Sequence, residues 1–317
     1  MRLFANANYD FLGRRKVSLT LSGVVLAALL VVSIFWQFSR GSWLNYNVDF
    51  TGGTLVQIHF DQPTSVGELR DVVGSAVPGT EITRFGAENE YLFRAPAFSE
   101  EGTAVSDQIV QVLGQRYAAD AFEVVRTEAV GPKVGGELQQ KAIIAIVLSL
   151  LATLVYLALR FEWRFGVAAV GATAHDMLLA LLLVSALRLD VSLTTVAALL
   201  TIIGYSLNDK IIVFDRIREN IKGAGRKQEN IEIFNRSINE TLPRTVLTSG
   251  TTVATLLALA IVGTGAIQEF ALILIAGIVI GTYSSIFVAS PILYYIERRW
   301  PRGEKKATAK RPRHVTA

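Results

Sequence analysis

Residues 17–38 read VSLTLSGVVLAALLVVSIFWQF, a run without one charged residue, and they follow Arg14-Arg15-Lys16. A helix needs about 20 predominantly apolar residues to cross about 30 Å of hydrocarbon, so this stretch reads as a membrane span. A cleaved signal peptide is the competing reading. It fits less well, because the apolar run is too long for such a segment and no small-x-small cleavage site follows, so the helix is expected to stay.

Five further apolar runs lie at about 142–159, 165–187, 191–214, 246–262 and 270–296, which makes six spans and puts both termini on one side. Arg160 and Arg164, the loop 215–243 and the tail after Ile296 are rich in Lys and Arg. The opposite turns, Arg188-Leu189-Asp190 and Gly263 to Glu269, carry one basic residue between them. The positive-inside rule therefore places the termini in the cytoplasm. The whole chain is 51% hydrophobic and 18% charged with a net charge of +4, and its basic residues fall in short blocks between spans, a topology signal rather than a nucleic-acid footprint. It has no cysteine and three histidines, His59, His175 and His314, which argues against disulfides, thiolate chemistry and a metal centre, and no cofactor is expected. No phosphate-cradling glycine loop, nucleotide signature or nucleophile set points to an enzyme.

Residues 39–138 lack a spanning run and carry 14 acidic against 7 basic residues. They are expected to form one translocated domain, following the arm and first span at 1–38 and preceding spans two to six at 139–297 and a basic tail at 298–317. The pattern reads strand 54–60, helix 65–77, two strands around the turn 86–90, helix 101–117 and strand 122–128, a β-α-β-β-α-β order that predicts a ferredoxin-like α+β sandwich. The fold class is thus a multi-pass α-helical membrane protein with that domain between helices 1 and 2. Gly131 to Gly136 reads as a hinge into the second span.

Ionisable groups inside the bilayer are costly and call for a reason. Asp176 lies at the centre of the third span within Ala174-His175-Asp176. Asp209 lies in the fourth within Gly204-Tyr205-Ser206-Leu207-Asn208-Asp209-Lys210, and Arg244 opens the fifth, followed by Thr248 and Ser249. An Asp that takes and releases a proton beside a guanidinium that governs its ionisation would make a relay. The plainer readings are helix packing for Asp209, a buried structural pair of Asp176 with His175, and snorkelling of Arg244 and Lys210 to the inner headgroups. Lys210 is about 100° round the helix from Asp209 and is not expected to face it. Gly277 and Gly281 share one face of the sixth span and allow close helix approach, with this chain or with a partner. The basic loop reads as a short interfacial helix on anionic lipid.

Six motifs taken together resemble the SecF family of the bacterial export machinery, within the resistance-nodulation-division superfamily. They are Asn47-Val48-Asp49-Phe50-Thr51-Gly52-Gly53, Gly131-Pro132-x-x-Gly135-x-Glu137-Leu138, Ala174-His175-Asp176, the Gly204 to Asp209 run with Val213 to Asn220, Thr241-Leu242-x-Arg244-Thr245, and Gly281 to Phe287. The resemblance implies a subunit of the Sec translocase in the bacterial inner membrane, its inserted domain periplasmic. It implies pairing with SecD beside the SecYEG channel, with YajC, YidC, membrane lipid and exported unfolded polypeptides as further partners and no nucleic acid. Proton or sodium motive force would drive late steps of export. Asp209 would bind the ion and Arg244 tune it, with Asp176 in the same relay and Tyr205, Asn208 and Thr248 in support. Lys210 departs from the small hydroxyl residue of the family pattern, and a cation close to Asp209 would favour its ionised form. A half-size exporter of the same superfamily and a passive scaffold of the translocon are the competing functions.

Overall fold

The computed structural model describes residues 7–85, 88–97, 103–118, 120–160, 162–223, 230–263 and 265–300. Gly86 in the expected turn, Arg226 and Lys227 in the basic loop and the tail beyond residue 300 lie outside them.

Helix α1 (Arg15–Arg40) ends at Gly41, whose φ of 77° lets its N–H donate back to the Gln37 carbonyl, the left-handed stop that favours glycine. A two-residue strand β1 (Asn45–Tyr46) and a single helical turn α2 (Val48–Thr51) then lead into the inserted domain. Its elements are β2 (Gly53–Phe60), α3 (Val66–Gly74), β3 (Glu81–Arg84), β4 (Glu90–Ala95), α4 (Thr103–Arg116) and β5 (Phe122–Val130). The sheet order β3-β4-β2-β5, antiparallel throughout, is that of the ferredoxin-like sandwich the element order predicts. Val56, Ile58, Phe60, Tyr91 and Phe93 from the sheet meet Leu69 and Val73 of α3 and Ile109 and Leu113 of α4 in its core.

The remaining membrane helices are α5 (Pro132–Arg160), α6 (Trp163–Ala186), α7 (Leu193–Gly223) and α8 (Asn230–Val262), preceded on α7 by the short strand β6 (Asp190–Val191), which pairs with β1. Then α9 (Gly265–Ser284) runs through a π-helical turn, Ser285–Ala289, into α10 (Ser290–Arg299). The wider turn is used for packing: Ser18 on α1 donates to the Phe287 carbonyl and Tyr283 Oη donates to the Ser18 carbonyl. Six helices are long and apolar enough to cross a membrane among the described residues. About half of the apolar window of α6 and of the last span is buried, against 6% of α5 and 17% of α1, so α6, α7 and α9 form the centre and α1 and α5 the flanks.

Two expectations are corrected. Residues 215–243, read as a loop, are helical wherever described: α7 runs on to Gly223 and α8 begins at Asn230. The charged faces of both extensions hold each other, with Arg216 Nε donating to Glu240 at 2.6 Å and Asn220 Nδ2 to Ser237 Oγ at 2.9 Å. Asn235 and Asn239 on α8 also clasp the N-terminal arm, accepting from the Leu12 and Tyr9 amides at 2.9 Å. The hinge read at Gly131 to Gly136 is instead the first turn of α5, with Pro132 in the helix from the start, where a missing N–H costs nothing.

Candidate functional site

Two polar clusters occupy the interior of the helical body. The first is built on Asp176, which is 0% exposed near the middle of α6. Its Oδ2 accepts from Lys210 Nζ at 2.6 Å and from Ser206 Oγ at 2.5 Å, both on α7. Its Oδ1 lies 2.9 Å from His175 Nδ1. A carboxylate only accepts, so Nδ1 is the donor, and Nε2 lies 2.5 Å from Ser22 Oγ of α1. One carboxylate thus ties three helices together.

Lys210 does not snorkel. It is 0% exposed, and a helical side chain leans toward the N-terminus of its own helix, here toward Ser206 one turn back and away from the nearer helix end. Nζ approaches the Ser206 carbonyl at 3.3 Å and Ser206 Oγ more closely still. A buried ammonium in an apolar body is tolerable only when paired and hydrogen-bonded, and Asp176 meets that requirement. The reading of Asp176 with His175 as a buried pair is therefore incomplete without Lys210.

The second cluster surrounds Asp209, 1% exposed on the face of α7 turned toward α8 and α9. Oδ2 accepts from Ser249 Oγ at 3.3 Å, and Ser249 in turn lies 2.7 Å from Thr282 Oγ1 on α9. Oδ1 is buried with no hydrogen-bond partner among the described residues. Arg244 forms no ion pair with Asp209: it is exposed and lines a groove with Asp215, Arg216, Glu219 and Glu240. The structure does not bring the supporting residues to Asp209 either. Tyr205 Oη donates to Thr252 Oγ1 at 3.3 Å, Thr248 donates to the Arg244 carbonyl of its own helix at 3.0 Å, and Asn208 is exposed. Ser249, which the sequence places after Arg244, and Thr282 of the Gly281 to Phe287 motif do belong to this cluster.

Gly277 and Gly281 settle as an internal contact. A Cβ on Gly277 would lie 2.2 Å from Ile202 Cδ1, and one on Gly281 would lie 3.0 Å from Ser206 Cβ, so α9 rests on α7 directly behind the Asp176 cluster. Among the described residues no group of acidic or histidine side chains is placed to hold a metal.

Where the inserted domain meets the helices, Arg94 of β4 pairs with Asp190 of β6, which also accepts from Asn45 Nδ2 at 2.6 Å. Burial holds the Asp190 carboxyl above its ordinary 3.8, against the pull of the Arg94 guanidinium. Gly52 and Gly53, at φ 75° and 114°, lie in the glycine region. Their missing side chains also make room: a Cβ would fall 2.6 Å from Pro132 Cα and 2.4 Å from the Ala95 carbonyl.

Residues 42–64, which hold those glycines, match the SecD/SecF GG motif, and residues 110–299 match the family described as protein export membrane protein SecD/SecF, C-terminal. The chain belongs to the SecF family. A protein translocase subunit SecF of Gemmatimonas aurantiaca is 43% identical, over 98% of this chain and 93% of that one. The SecF of Rickettsia rickettsii is 38% identical over 95% and 96%. Among solved structures, SecDF of Thermus thermophilus, described as a translocon-associated membrane protein, superposes with a TM-score of 0.83 at 36% identity. That match covers 94% of this chain and 40% of the SecDF chain. A second SecDF structure, in a super-membrane-facing form, gives 0.65 at 37% identity, over 93% of this chain and 39% of that one.

Proposed function

We propose that this SecF-family chain is a non-enzymatic subunit of the bacterial Sec translocase that works with a SecD partner to couple ion flow to a late step of protein export. In this reading it sits in the inner membrane with both termini cytoplasmic and the ferredoxin-like domain periplasmic. SecYEG, with YajC and YidC alongside, supplies the channel and neighbourhood, and unfolded polypeptide is the cargo. The observation that carries the reading is Asp209: a carboxylate withdrawn from solvent among α7, α8 and α9, with one oxygen left unpartnered. A group so placed is free to take a proton or another cation, whereas a fully bonded carboxylate is not.

The flank next to Asp209 supports a partner. Thr201, Gly204 and Asn208 on α7 and Gly250, Thr251 and Thr255 on α8 are all exposed, and small and polar residues of this kind are how membrane helices dock on one another. A second chain laid there would cover Asn208 and come within reach of the exposed Arg244. The matched SecDF chains are more than twice as long as this one, in line with a partner half carried separately. One charge crossing the field gains about 2.3 kcal/mol per 100 mV, enough to bias a two-state rearrangement more than tenfold.

The test is export into or out of vesicles holding this subunit and its partner, with and without an imposed ion gradient, comparing wild type with Asp209→Asn at equal protein level. Loss of the gradient-dependent fraction is the expected result. Undiminished gradient-dependent export by Asp209→Asn would overturn the assignment and leave a scaffold.

A further inference from the structure

The ammonium of Lys210 sits where a free cation would. Oxygen surrounds it: the carboxylate of Asp176 at 2.6 Å, the Ser206 carbonyl at 3.3 Å and the Ser206 hydroxyl. Two more hydroxyls lie about one helical turn from the cluster. Thr173 is one turn before Asp176 on the same face of α6, and Ser284 is one turn after the Gly281 that rests on Ser206. Both hydroxyls are buried, at 1% and 0% exposure, and neither has a hydrogen-bond partner among the described residues. One carboxylate oxygen, a carbonyl and a hydroxyl around the ammonium form the kind of all-oxygen surround that hard cations take.

We propose that Lys210 is an ion-specificity residue: its tethered ammonium permanently fills an oxygen-lined monovalent-cation site on Asp176, shutting sodium out of the centre of the bundle and leaving Asp209 as the exchangeable carboxylate. The electrostatics are simple. Asp176 is fully buried, and a buried carboxylate stripped of its partner must gain a cation or a proton. Lys210 supplies that charge from its own chain at an effective concentration no dissolved ion can match. The tether keeps the ammonium at the site, where its charge balances that of the Asp176 carboxylate. The sodium-excluding role stands by itself, and only the assignment of exchange to Asp209 rests on the coupling reading above.

The full chain in lipid nanodiscs tests this. Thermal unfolding of wild type, Lys210→Thr and Lys210→Met/Asp176→Asn is followed in sodium chloride and in choline chloride at one pH and one total salt concentration. Lys210→Thr is expected to gain a saturable sodium-dependent rise in unfolding temperature of at least about 2 °C. Wild type and the doubly neutral variant are expected to respond equally to the two salts. Equal unfolding of Lys210→Thr in sodium and choline overturns the proposal. So does absence of folded Lys210→Thr in both salts while the doubly neutral variant folds, because sodium should have refilled the place. A saturable sodium response in wild type that Asp176→Asn abolishes overturns it as well. Unfolding is read without a gradient, so failure of gradient-dependent export would remove the coupling reading and leave this result untouched.

Discussion

Asp176 and Asp209 stand on helices in direct contact, both withdrawn from solvent, and they are held in opposite ways. Asp176 has both oxygens bonded, by an ammonium and a hydroxyl from α7 and by an imidazole from its own α6 that in turn meets Ser22 of α1. Asp209 has one long bond on Oδ2, and its Oδ1 has no hydrogen-bond partner among the described residues. The first arrangement fixes a charge as part of the packing, and the second leaves one available. The lesson is that depth in a membrane does not by itself mark a working carboxylate: the number of partners separates the tied aspartate from the one proposed to exchange.

That contrast can be broken most directly at the closed cluster. Asp176→Ala strands the Lys210 ammonium at 0% exposure and is expected to destabilise the chain by about 3–5 kcal/mol, read by denaturant unfolding in mixed micelles. Replacing the pair together, as Asp176→Leu with Lys210→Met, should recover most of that loss, since no charge is left without a partner. A next, smaller effect is expected behind the cluster. Gly281→Val drives a side chain into Ser206, against which even a Cβ stands at 3.0 Å, and should cost about 1–3 kcal/mol in the same measurement.

At the open cluster the effects on stability shrink. Ser249→Ala removes a 3.3 Å bond to Asp209 and a contact with Thr282, and should cost no more than about 1 kcal/mol. Asp209→Asn keeps the shape and removes a charge that has little to hold it, so unfolding should move by less than about 0.5 kcal/mol while ion-coupled export is lost. A loss near that of Asp176→Ala would mean that Asp209 is as much a packing element as its neighbour and would erase the distinction.

Much of this was legible in the sequence, for definite reasons. The spans announce themselves by length, because hydrocarbon offers no partners to a backbone outside a helix. The inserted domain shows itself by strand and helix order, and β2 pairs with β4 and β5 as that order requires. What the sequence hid is tertiary. Lys210 follows Asp209, and the 100° step between them rightly excludes a bond, but the same step turns Lys210 toward α6, and nothing local says that Asp176 waits there. The extensions of α7 and α8 were hidden too: once a helix leaves the bilayer its exposed face becomes charged, and a charged stretch between two spans reads as loop. Arg216, Glu240 and Asn220 show that those charges instead stitch one helix to the other.

The glycines at the mouth of the inserted domain have a mechanical consequence. Gly52 lies against Pro132, and Gly135 lies against the backbone of Phe50 and Gly52, so the strand going out and the helix coming back touch through bare main chain. An object fastened at one pivot swings as a lever arm, whereas this domain is also held where Phe85 meets Gly265 and Arg94 pairs with Asp190, and separated fastenings resist torque. A body of roughly 100 residues has a radius of gyration of about 13 Å, so a tilt of about 20° at that pivot sweeps its far edge by about 10 Å. The Arg94–Asp190 pair and the seat of Phe85 on Gly265 stand off that point and oppose such a tilt, which bare glycine backbone by itself would not.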